Sequence, residues 1–217
     1  MENPITTYWQ KRLNELKVAL EKNNFSVFLA NDTAEARRIV QEQILPGLDA
    51  KTVSFGGSMT FMATGLYDFF KTSPDYQVLD TFDKTIPRPE MVERRRQALL
   101  VDLFFTGTNA ITEGGQLVNL DMQGNRVAAI THGPRNVVLL VGRNKLVADL
   151  EAAFARIKNY VAPVNTMRLG MKTPCVATSY CEECASPERI CNSWVITEKS
   201  FPKGRTRIIL VNEDLGL

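Results

Sequence analysis

The chain of 217 residues has one histidine, four cysteines confined to a single stretch, and no long apolar run. Its longest hydrophobic stretches fall far short of the ~20 residues that a membrane span requires, so no such span is expected. A net charge of +2 is too small to point to nucleic acid or to a membrane surface as partner. The N-terminal MENPITTYWQKRLNEL lacks the basic-then-apolar order of a signal peptide. With every cysteine between Cys175 and Cys191, no disulfide framework spreads through the chain, which suits a reducing, cytoplasmic setting. Neither a Walker A loop nor the G-x-G-x-x-G spacing is present, so no nicotinamide or flavin fingerprint assigns such a cofactor.

What is present is a globular composition, 44% hydrophobic and 23% charged, with a regular alternation of elements in its first half. Trp9, Leu13, Leu16 and Leu20 recur at helical spacing over 6–22. FSVFLA at 25–30 reads as a strand, and Asp32 with Glu35 three residues on starts a second helix ending near Pro46-Gly47. A strand at 52–55, a helix to Phe70, a strand at 76–79, a helix at 90–99 and an apolar run ending at Phe105 follow. Strict strand–helix alternation predicts an α/β fold with a mainly parallel sheet flanked by helices. Beyond Ala110, short apolar runs at Ile111, 117–118, 127–130 and 137–141 read as antiparallel hairpins added to or inserted into that sheet. A helix from about Val147 to Val161, an irregular cysteine-containing segment at 170–200 and a last strand at 207–211 complete one domain over 1–217. An exposed hairpin edge beyond Ala110 would suit a homodimer.

Two loops carry the strongest suggestion of a ligand. SFGGSMT at 54–60 follows a strand and opens a helix, so Gly56, Gly57, Ser58 and Thr60 could offer backbone and hydroxyl donors to a phosphate or carboxylate. A tight turn capped by Ser58 accounts for the same residues equally well. TGTNAITEGGQLVN at 106–119 sets one acidic residue, Glu113, before Gly114-Gly115, where an ordinary hairpin turn competes with close approach of a ligand. His132, in THGPRN, reads as a turn residue before it reads as a proton carrier, and Arg94-Arg95-Arg96 as a solvated helix face.

With VVLLVGRNKLVADLEAA at 137–153, SPERICN at 186–192 and ILVNEDLG at 209–216, these loops make the chain resemble the LUD (lactate-utilisation) domain family. The resemblance implies a fold similar to the CoA-transferase, ribose-phosphate-isomerase and glucosamine-phosphate-deaminase group. It implies that Gly56, Gly57, Ser58 and Thr60 cradle a small anionic ligand (an organic acid, a phosphate or a CoA group). Thr106, Gly107, Glu113, Gly114 and Gly115 would form the facing wall. Glu113 would then be the catalytic candidate, as an acyl-carrying nucleophile or as a proton-transfer base. The implied function is a part in oxidising L-lactate or a similar acid beside iron–sulfur and oxidase-type partner subunits. A stand-alone transferase or isomerase, and a metal-binding structural or regulatory protein, are the competing readings.

Cys175, Cys181, Cys184 and Cys191 follow the spacing C-x5-C-x2-C-x6-C. Four thiolates so close in sequence suit tetrahedral zinc or an iron–sulfur cluster, although the spacing matches neither a ferredoxin run nor a zinc ribbon. Free thiols in an irregular loop, or a redox pair, are the remaining readings.

Overall fold

The computed structural model describes residues 3–217. Helix α1 (Pro4–Lys22) is capped by Asn3, whose side chain accepts from the Ile5 N–H, and it buries Leu13, Leu16 and Leu20. Strand β1 (Ser26–Ala30) leads to α2 (Thr33–Ile39), capped by Asp32 and continued by a wide turn through Ile44. After β2 (Thr52–Phe55) the apolar helix predicted to reach Phe70 is two helices. They are α3 (Met59–Ala63) and α4 (Leu66–Thr72), broken at Gly65 in the left-handed region. Then come β3 (Gln77–Leu79), α5 (Arg88–Gln97), β4 (Leu103–Thr106), β5 (Ala110–Thr112), β6 (Leu117–Asp121) and α6 (Asn125–Thr131). The rest of the chain forms β7 (Asn136–Gly142), β8 (Leu146–Val147), α7 (Leu150–Arg156), α8 (Ala162–Leu169), α9 (Cys175–Thr178), β9 (Ser193–Thr197) and β10 (Thr206–Val211).

Six strands form a parallel sheet in the order β1-β10-β7-β4-β2-β3. The apolar runs of β7 and β10 are therefore neighbours inside the sheet, each paired on both sides. In β7, Val138 and Leu140 face one core with the α2–α4 layer, while Val137, Leu139 and Val141 face the other core with α1. β10 alternates in the same way, with Ile209 and Val211 on one side and Ile208 and Leu210 on the other. A strand buried on both faces needs a continuous apolar run, which is why VVLLV and IILV carry no polar alternation.

The expected hairpins need two corrections. Residues 137–141 form a central parallel strand, and 127–130 belong to the helix α6. That helix follows Gly124 and turns Val127, Ala129 and Ile130 inward. The hairpin β5–β6 is present but sits in a second sheet, order β8-β5-β6-β9, where β9 pairs antiparallel with β6. β9 lies inside the segment expected to be irregular, its Val195 and Thr197 half-buried and its Trp194 and Ile196 more open. Ala110, Val118 and Leu120 of this sheet pack on Ala153, Ile157 and Val161 of the helix that continues α7.

Candidate functional site

The carboxyl ends of β2, β4, β7 and β10 lie side by side, and the four loops leaving them meet there. Beyond β2 the chain turns to β3 on one side; beyond β4 it turns to β7 on the other. The β2–β4 crevice is thus a switch point of the sheet, the place where open α/β folds present a ligand site. Both suspected loops begin at that crevice. The Gly56 N–H donates to the Phe105 carbonyl at 2.8 Å, tying them together. A Cβ on Gly56 would stand 2.9 Å from Thr106 Oγ1, and one on Gly107 would stand 2.8 Å from Ser58 Oγ. Glycine at both positions allows this approach. Ser58 Oγ accepts from the Phe61 N–H at 3.1 Å and so caps α3, while Gly57 is open to solvent with no atom near its missing side chain.

Under the loop, Thr60 is fully buried. Its hydroxyl donates to the Leu215 carbonyl at 3.2 Å and accepts from Lys145 Nζ at 3.0 Å. Lys145 comes from the turn after β7 and is only 5% exposed. Burial, reinforced by Arg156 and Arg126, pushes its ammonium down to about 7. Among the described residues no carboxylate forms an ion pair with it. Arg156 reaches in from α7 and grips the Asn144 carbonyl through Nε and Nη2, at 3.2 and 3.0 Å. Arg126, from α6, knits the TGTN segment to β6. It donates to the Gly107 carbonyl at 3.2 Å, to Asn119 Oδ1 at 2.7 Å, to Asn109 Oδ1 at 2.8 Å and to Asp121 Oδ1 at 3.2 Å. Three buried polar atoms in these same segments lack a partner among the described residues: Thr106 Oγ1, Asn119 Nδ2 and Arg156 Nη1. Such groups are rare in a folded interior and point to something that completes them.

The predicted wall divides. Thr106 and Gly107 stand at the Gly56 loop, but Glu113, Gly114 and Gly115 lie at the far end of the β5–β6 hairpin, against α1. Glu113 pairs with Arg12, is half exposed, and its N–H donates to the Val147 carbonyl at 2.9 Å. Asn23 Nδ2 donates to the Gly114 carbonyl at 3.0 Å, and Gly115, at φ 82°, lies against Ala19 and Leu20. This turn clamps the hairpin to the helix. His132 caps α6 and leads into the start of β7, the opposite edge of the sheet, and is exposed. Arg94 and Arg96 pair along their own helix with Glu90 and Glu93.

Lys145, Arg126 and Arg156 were not singled out from the sequence. The clue was present: had VVLLVG been read as a parallel strand, Arg143-Asn144-Lys145 would fall at its carboxyl end, where ligands are met.

The chain resembles a crystal structure of a DUF162 family protein from Deinococcus radiodurans, at 12% identity and a TM-score of 0.48, covering 94% of this chain and 97% of that one. No curated protein matches it. The model of the LUD domain matches residues 13–211, from the first buried leucine of α1 to the last residue of β10. The chain belongs to the LUD domain family.

Proposed function

We propose that this chain is the acid-binding component of a system that oxidises L-lactate or a similar small organic acid, working beside redox partner proteins. Family membership supports the acid. The observation that carries the reading is Lys145, a buried amine whose one hydrogen-bond partner among the described residues is the Thr60 hydroxyl and which has two arginines for neighbours. A buried cation without a counter-charge is costly, so such an amine either gives up its proton or gains an anion. The carboxylate of the acid supplies that anion and restores the ammonium. The unpaired Thr106 hydroxyl and Arg156 Nη1 are donors available to the acid's other oxygens.

Conversion of a 2-hydroxy acid to a 2-oxo acid removes two electrons and two protons. In this reading Lys145, as the ammonium, binds and orients the carboxylate, and both electrons and both protons pass to a flavin-type centre of the partner protein. The same cations would also accept a phosphate or the phosphates of a CoA group, which is the transferase or isomerase reading of the site.

Calorimetric and thermal titrations with L-lactate, pyruvate, inorganic phosphate and CoA separate the two. Lactate at a hundredfold over its Kd should stabilise the wild type by about 2.7 kcal/mol and leave Lys145→Met unchanged. Stabilisation by phosphate or CoA but not by lactate would transfer the site to the second reading. A flat response to all four would sink both.

A further inference from the structure

Past β10 the chain folds across the carboxyl edge of the sheet, over residues 212–217. The first two of these residues form a fixed root. The Asn212 N–H donates to the Ala30 carbonyl at 2.9 Å, while its side chain donates to the Thr6 carbonyl at 3.3 Å and accepts from Arg143 Nη1 at 3.2 Å. The Glu213 carbonyl accepts from the Arg143 N–H at 3.0 Å, and its carboxylate from the Thr33 N–H at 3.1 Å.

The four residues that follow lie over Lys145. Leu215 packs on the core shared with the α2–α4 layer, and Leu217 on the cluster of Ala153, Ile157 and Val161, so Gly216 crosses between the two. Gly216 has a φ of 68°, and a Cβ there would stand 2.9 Å from Thr60 Oγ1 and 3.4 Å from Lys145 Nζ. Backbone thus lies directly against the amine, an approach that glycine permits. Lys145 is buried while residues 215–217 are partly exposed, so on this side the segment is the layer between the amine and water. We propose that residues 214–217 are a hinged strap closing the acid site, and that an anion reaches Lys145 only when the strap lifts off Thr60. The identity of that anion rests on the acid reading above; the strap rests on these contacts alone.

Few bonds hold the strap down. The Leu215 N–H donates to Asn144 Oδ1 at 3.1 Å, and its carbonyl accepts from the Thr60 hydroxyl at 3.2 Å. Asp214 pairs with Arg143 at 2.9 Å, but its carboxylate is mostly exposed, and such a pair contributes little. Gly216 and Leu217 make no hydrogen bond among the described residues. The parts facing the strap are held more firmly, by the Gly56–Phe105 bond, the Ser58 cap and the grip of Arg156 on Asn144. Segments with few buried contacts open first, so the strap is the part that yields.

Lifting exchanges partners rather than losing them. The Thr60 hydroxyl has one proton, which the Leu215 carbonyl accepts while the strap is down. A carboxylate entering beneath the strap takes that proton's hydrogen bond and meets Lys145 Nζ at the same place. A charged acceptor then replaces a neutral one, and hydrogen bonds to charged groups are the stronger kind.

The first test needs no ligand. Cyanate carbamoylates neutral amines, and at pH 10 the Lys145 amine is neutral, so its labelling, mapped by peptide mass spectrometry, reports access. In wild type Lys145 should label about tenfold or more slowly than the exposed Lys11. Gly216→Ala drives a methyl into Thr60, and Leu217→Ser removes the packing at the strap's tip without a clash; each should speed labelling of Lys145 about tenfold. Wild-type labelling as fast as that of Lys11, or variants no faster than wild type, would overturn the strap. The second test is hydrogen exchange of residues 214–217 with and without saturating L-lactate. Faster exchange in the bound protein is expected, and unchanged or slower exchange would overturn the exchange of partners at Thr60. A flat lactate titration beside slow wild-type labelling and fast labelling of both variants would sink the acid reading and leave the strap standing.

Discussion

The carboxyl edge of the parallel sheet and the cysteine-bearing segment are two regions built on opposite plans. At the sheet edge, strands of a doubly buried sheet fix the loops, and hydrogen bonds from Arg126 and Thr60 hold them in place. In the cysteine-bearing segment, the chain between Gly170 and Ser193 holds one short helix, α9, and otherwise irregular backbone, steadied by Arg189, Lys158 and Glu183. The first region is held by buried hydrogen bonds; the second depends on partly exposed ion pairs, whose contribution to stability is small. A preorganised site spends little on ordering when its ligand binds, whereas a loop site gains much of its order from what it holds.

Substitutions on the sheet-edge side should therefore be expensive, and graded by depth. Arg126→Ala comes first. It leaves Asp121, Asn109, Asn119 and the Gly107 carbonyl without their buried donor, and should lower unfolding free energy by about 3–5 kcal/mol. Urea denaturation measures this; a loss comparable with that of Arg189→Ala in the cysteine segment would erase the contrast between the regions.

The pH dependence of stability comes next. Lys145 titrates near 7 in the folded chain and at its ordinary, higher value when unfolded, so the unfolded state binds more protons between those values. Its contribution to stability is complete above the unfolded value and declines as pH falls towards 7, below which it stays lost. Ligand-free wild type should thus gain stability from pH 7 to pH 10 by a few kcal/mol. Lys145→Met, close in volume, should lack that slope. Parallel slopes for the two proteins would put the amine in contact with water after all.

The glycines give a smaller and sharper comparison within one loop. Gly107→Ala drives a methyl to 2.8 Å from Ser58 Oγ and 3.3 Å from the Leu140 carbonyl. It should cost about 1–3 kcal/mol and weaken lactate binding. Gly57→Ala meets nothing within 4 Å and should change neither. Equal melting temperatures for both variants would contradict the close apposition of the two loops.

The smallest effect belongs to Glu113. Its pair with Arg12 is partly exposed, and Glu113→Gln should cost about 1 kcal/mol or less and leave lactate affinity unaltered. A large fall in affinity would return Glu113 to the site that the family resemblance implied for it.

Much of this architecture was legible because local rules act over a few residues. Asp32 with Glu35, the leucine stripe of α1 and the strand-then-glycine order at Phe55-Gly56 each signal their element within one turn of chain. β7 departs from the expected hairpin because an apolar run of that length fits a hairpin strand and a central parallel strand alike; its neighbours, β4 and β10, are distant in sequence. α6 was missed for a related reason, since VAAI has no period long enough to separate strand from helix. The candidate site suffered most. Ser58, Gly56 and Gly107 could be suspected from turn chemistry, but Lys145 stands out only once burial has stripped it of water and left it without a carboxylate.

By itself the sequence determined the alternation that makes an α/β sheet, the helix caps, the glycine loop and the clustering of four cysteines within seventeen residues. Those properties follow from side-chain period, turn sterics and short loop closure, all of which operate along the chain. Tertiary structure alone decided which loops meet: it brought Thr106 and Gly107 to Gly56, carried Glu113 away to α1, and seated Lys145 beneath Thr60. The physical reason is that burial and electrostatic environment are set by strand order, and strand order joins residues that the chain keeps far apart.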